Sequence, residues 1–101
     1  MIAGTRKNKR AATKLPKLVR EEIHGVVIEY YPIGEHVVIQ PGVQGGLPTI
    51  KHTRITAGVL VGWVKQERTP ADVAQGYRIP VEAVEEALAL AEQYDYDRSY
   101  A

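Results

Sequence analysis

Cysteine and phenylalanine are both missing from this 101-residue chain, and Met1 and Trp63 are each the single residue of their kind. Without cysteine there is no disulfide framework, no thiol nucleophile and no thiolate metal site. That composition suits a reducing cytosol, and a cytoplasmic location is expected. The one serine, Ser99, stands near the end of the sequence, which leaves hydroxyl nucleophiles scarce. No apolar run approaches the roughly 18 residues that span a bilayer, so no membrane partner is expected. The first residues are basic but have no apolar stretch behind them, unlike a secretory signal.

Charge is unevenly distributed along the chain. Residues 1–20 hold Arg6, Lys7, Lys9, Arg10, Lys14, Lys17 and Arg20 and no acid, whereas the other 81 residues carry six basic and twelve acidic side chains. The overall charge of +1 therefore hides a basic arm on an acidic body. The arm (residues 1–20) has few large apolar side chains and is expected to be flexible unless a partner orders it. Residues 21–101 are expected to form a single domain. With no Phe, its core must come from Val, Ile, Leu and Ala, and a small core makes oligomerisation, most simply a homodimer, a natural source of stability.

Residues 16–24 read as one or two helical turns. Val26-Val27-Ile28-Glu29-Tyr30-Tyr31 and His36-Val37-Val38-Ile39-Gln40 are β-branched and aromatic, and Pro32-Ile33-Gly34-Glu35 supplies turn residues between them. This predicts a β-hairpin over about 26–40. A lone two-stranded ribbon is marginal in water, so the hairpin must pack on helices or pair with another chain. Pro41 to Pro48 is a breaker-rich loop, and its Gly45-Gly46 pair lacks the Gly-Lys-Ser/Thr that a phosphate cradle needs.

Three helices are expected after it. The first, about 56–66, places Ile55, Val59, Leu60, Trp63 and Val64 on one face, with Gly58 and Gly62 inside it. The second, 70–77, has a clear start: Thr69 as capping hydroxyl, Pro70 at the first helical position and Asp72 near the positive end. The third, about 80–94, carries a stripe of Val81, Val84, Leu88 and Ala91. Helix, tight turn and helix at this spacing follow the helix-turn-helix plan, with the first helix as support. The expected fold class is mainly α, a three-helix homeodomain-like bundle preceded by a β-hairpin.

Gly45-Gly46-Leu47-Pro48-Thr49-Ile50, Thr53-Arg54-Ile55, Thr69-Pro70-Ala71-Asp72-Val73-Ala74 and Val81-Glu82-Ala83-Val84-Glu85-Glu86-Ala87-Leu88 together resemble the domain-of-unknown-function family number 433, across roughly residues 38–94. The resemblance implies a homeodomain-like helix-turn-helix fold. Many members of the family look like antitoxins encoded beside a PIN-type ribonuclease toxin. It also implies structural roles for Gly46, Pro48, Thr53, Arg54, Thr69 and Pro70, with Thr53 or Thr56 capping the first helix. The sequence departs from the family pattern at Lys51-His52 and in the glycines of the first helix, and the basic extension lies outside the matched region.

The chemistry points away from catalysis. His24, His36 and His52 lack the close ligand spacing of a zinc site, so no catalytic residue, metal or cofactor is expected. Glu82, Glu85 and Glu86 read as a solvated face. From Pro80 to Asp97 there are six acids and no base, which opposes insertion of the third helix between phosphate rows. The better nucleic-acid candidates are Arg6, Lys7, Lys9, Arg10, Lys14 and Lys17, which can track phosphates or grip an acidic protein face. The expectation is a non-enzymatic antitoxin that binds and neutralises a toxin protein. The alternatives are a regulator bound to DNA through the arm, or an orphan interaction domain.

Overall fold

The computed structural model describes residues 15–100. Four antiparallel strands come first: β1 (Val19–Ile23), β2 (Val26–Pro32), β3 (Val37–Ile39) and β4 (Pro48–Ile50), paired in that order. Three helices follow: α1 (Ala57–Lys65), α2 (Pro70–Tyr77) and α3 (Val81–Leu90). The fold is α+β, which corrects the mainly α expectation: a four-stranded sheet stands where a single hairpin was predicted.

Two segments account for the difference. Residues 16–24 do not form the expected helical turns: Val19–Ile23 alternates side to side and pairs with β2 from Val19↔Tyr30 to Ile23↔Val26. The decisive residues are His24 and Gly25, both at positive φ (51° and 81°), as a two-residue turn matching the strand twist requires. The second segment is Pro48–Ile50, which begins at the last residue of the expected 41–48 loop and for which no strand is expected. It lies against β3, and proline is tolerated there because it starts its strand.

β2 belongs to two hairpins. Residues 26–30 pair with β1, while Tyr31 and Pro32 pair with Ile39 and Val38. The first hairpin forms an outlying arm, with Val26 61 % and Val27 50 % exposed. The second is buried: Val37, Val38 and Ile39 are almost fully covered. Val37 and Ile50 join Leu60, Val73, Ala83, Val84 and Ala87 in one core between sheet and helices.

The helices have local causes. At α2, Thr69 Oγ1 accepts from the Asp72 amide at 3.1 Å and Pro70 occupies the first turn. Arg78 ends the helix in a left-handed conformation (φ 60°), which leaves a short connection to α3. Pro80 precedes α3 as its N-cap. α3 stops at Leu90, short of the expected 94, and Tyr94 folds back into the body, 7 % exposed. In α1, Gly58 is explained by packing, since a Cβ there would lie 3.3 Å from Tyr96 Cβ. Gly62 faces open space.

Candidate interaction surface

The apolar stripe of α1 is wider than the core can cover. Leu60 is fully buried, but Val59 and Trp63, one turn apart and both assigned to the buried face by periodicity, are 40 % and 36 % exposed. Trp63 is held in place from two sides. Its Nε1 donates to Tyr77 Oη at 2.9 Å, and the Arg68 guanidinium lies 4.9 Å from its ring centroid. Trp63, Arg68, Asp72, Val73, Gly76 and Tyr77 enclose a shallow depression of about 240 Å³. Trp, Tyr and Arg dominate binding energetics because they present large, semi-rigid contact area with a polar handle. Neither Arg68 nor Tyr77 stands out for binding in the sequence. The available signal was a lone Trp followed five residues later by Arg, but their meeting depends on how α2 packs on α1.

α3 presents a different surface. Glu82 and Glu85 are exposed, as the solvated-face reading expected. Glu86 departs from it. Its Oε1 accepts from the amides of His36 (2.6 Å) and Val37 (2.8 Å), and its Oε2 from that of Glu35 (2.9 Å). One carboxylate thus satisfies three backbone donors of the β2–β3 turn, an arrangement stronger than neutral hydrogen bonds. Gly34 is required beside it, because a Cβ there would overlap the Glu86 carboxylate.

The residues expected to be structural have local roles. Thr53 caps no helix: its Oγ1 donates to the Ile50 carbonyl (2.7 Å) and accepts from the Ile55 amide (3.0 Å), closing the turn between β4 and α1. Thr56 occupies the N-cap position without a side-chain capping bond. Arg54 has an exposed side chain, and its carbonyl accepts from Gln44 Nε2 at 2.8 Å. Pro48 is fully buried. Gly46 sits at positive φ (83°) and accepts from the Tyr100 amide at 3.1 Å, while Ser99 Oγ donates to the Gly45 carbonyl. The last residues are thereby tied to the 41–48 loop.

Among the arm residues, Arg6, Lys7, Lys9, Arg10 and Lys14 lie outside the described residues, and Lys17 is exposed just before β1. The histidines do not converge. His24 is in the β1–β2 turn, His36 is half-buried beside Glu35, and His52 Nε2 lies 2.9 Å from Glu21 Oε1. That hydrogen bond holds the Glu21 carboxyl below the usual carboxylate range, helped by the nearby Lys51 charge. Burial pushes the Tyr96 phenol far up, with the Glu86 carboxylate adding to the shift, and Tyr96 Oη donates to the Ala87 carbonyl. Burial also raises Tyr94, with a smaller contribution from Tyr100. Among the described residues, no group of three or more His, Asp or Glu is placed to hold a metal ion, and no helix is long and apolar enough to cross a membrane.

Comparison with known proteins places the chain without giving it an activity. Neither a curated protein nor a solved structure matches it. One family model does match, over residues 37–91, from β3 through all three helices to just past the end of α3. That span is more than half of the chain, and the chain belongs to the family described as protein of unknown function (DUF433).

Proposed function

We propose that this protein is the antitoxin-like, non-enzymatic member of a cytoplasmic toxin–antitoxin pair, which binds and neutralises a PIN-type ribonuclease. The observation that carries this reading is the Trp63–Arg68–Tyr77 patch with Val59 beside it: an anchored aromatic and arginine cluster on the surface, with the composition of a protein-binding hot spot. α3 lends no competing support to a duplex-reading role. The exposed side chains of that helix include Glu82 and Glu85, it has no base, and affinity for duplex depends on neutralising phosphates.

The test uses the purified full-length chain and the purified product of the neighbouring gene. Binding, with loss of that product's ribonuclease activity, supports the reading. Trp63→Ala should weaken the complex by at least about tenfold, the effect of removing an interface anchor. Failure of the wild-type chain to bind or inhibit that product rejects it.

The seven positive charges in residues 1–20 favour a second reading, a DNA-associated regulator acting through the arm. Removal of residues 1–14, which takes away five of those seven charges, should then sharply weaken duplex binding and flatten its salt dependence. A truncated body that still binds duplex with sequence preference would contradict the reading of α3.

A further inference from the structure

We infer that β1 is a self-association edge: two copies join antiparallel through β1, across a two-fold axis at Glu21, into one eight-stranded sheet. This inference is independent of the toxin reading.

β1 is the end strand of the sheet, and β2 is its one strand partner among the described residues. Its outer edge therefore offers backbone donors and acceptors to another strand. The arm it belongs to is poorly covered: Leu18, Val26 and Val27 are 41 %, 61 % and 50 % exposed, and two strands alone are marginal in water. An exposed edge invites many partners, but the side chains here select one.

A two-fold axis perpendicular to a sheet keeps each side chain on its own face, so opposed residues must share strand parity. Only registers centred on a residue of β1 meet that condition. Centring on Val19 or Ile23 leaves a single β1 residue opposite β1 of the second copy, centring on Arg20 opposes Arg20 to its own copy, and centring on Glu22 opposes two Glu22 carboxylates. With Glu21 at the centre, Arg20 faces Glu22 of the second copy twice, and Val19 faces Ile23 twice. Opposite charges and apolar pairs directly across a ladder are both stabilising. The one like pair in this register is Glu21 with its copy. That carboxylate already has His52 Nε2 at 2.9 Å and the Lys51 charge nearby, so its charge is offset within its own protomer.

The register gives a charge-swap experiment on the full-length protein. Sedimentation over a concentration series should show the wild type dimerising. Glu22→Arg places two arginine pairs across the axis and Arg20→Glu places two acid pairs there. Each variant alone should dissociate at least about tenfold more readily than wild type. An equimolar mixture of the two variants restores opposite charges at both positions and should form heterodimers with near wild-type affinity. Both residues are exposed, and circular dichroism verifies that each variant keeps the wild-type fold. Should either variant lose the fold, Glu22→Gln, which removes charge alone, should weaken the dimer several-fold. A wild type that stays monomeric at its highest soluble concentration overturns the inference. So does a dimer indifferent to Glu22→Arg or, where that variant was needed, to Glu22→Gln, or a folded variant mixture that fails to reassociate.

Discussion

The tripeptide Val-Val-Ile occurs twice, at 26–28 in β2 and at 37–39 in β3, in opposite environments. In β3, Val37, Val38 and Ile39 are 0 %, 1 % and 0 % exposed. In β2, Val26 and Val27 are more than half or half exposed, and Ile28 is partly covered. Identical residues give the same local preference for extended backbone, so the difference has to come from what lies across from each copy. β3 has β4 on one side, the helices over it, and the Glu86 carboxylate fixing the turn that precedes it. Residues 26–28 have β1 beside them and are remote from the helical core. Strand propensity places a strand, and packing decides whether it contributes to the core.

Substitutions can sharpen that contrast, and Glu86→Ala should have the largest effect. It leaves three turn amides without their acceptor, and a loss of about 3 kcal/mol is expected in chemical denaturation, given the worth of bonds to a charged group. Val37→Ala should cost about 2–3 kcal/mol, combining lost burial with the cavity left behind. Thr69→Ala, which removes the α2 cap, should cost about 1 kcal/mol. The same Val→Ala change at Val26 should alter stability by less than about 0.5 kcal/mol in dilute protein, as for exposed sites generally. A Val26 effect equal to that at Val37 would erase the distinction between the two copies.

The smallest effect concerns pH. Because His52 holds the Glu21 carboxyl below its ordinary value, the link between β1 and the β4–α1 turn contributes at neutral pH. Its contribution falls away as acid takes the pH down through that lowered value. Amide exchange in β1 should therefore rise at acid pH before exchange in β3 does, and His52→Ala should remove the difference.

Several elements were legible in advance because their causes are local. Thr69-Pro70 marks the start of α2 with a hydroxyl cap and a ring that needs no amide partner. The 26–40 hairpin follows from two β-branched runs around a proline–glycine turn. Other elements were hidden because their causes are remote in sequence. β1 carries helix-favouring charges and becomes a strand by pairing with β2 through the His24–Gly25 turn. Glu86 looks like its neighbours Glu82 and Glu85, and only the approach of the β2–β3 turn distinguishes it. Trp63 fits the buried stripe of α1 by period, and its place at the edge of the core appears only once α2 and its Tyr77 are set.

The sequence alone determined the charge division between residues 1–20 and the rest, the caps and breakers that bound α2, and the family, since each depends on residue identity and spacing along the chain. Tertiary structure decided which Val-Val-Ile is core, which glutamate is an anchor, and which face of α1 stays open. Burial and long-range hydrogen bonds depend on residues some fifty positions away, such as Glu86 at the Glu35–Val37 amides, and no local pattern encodes them.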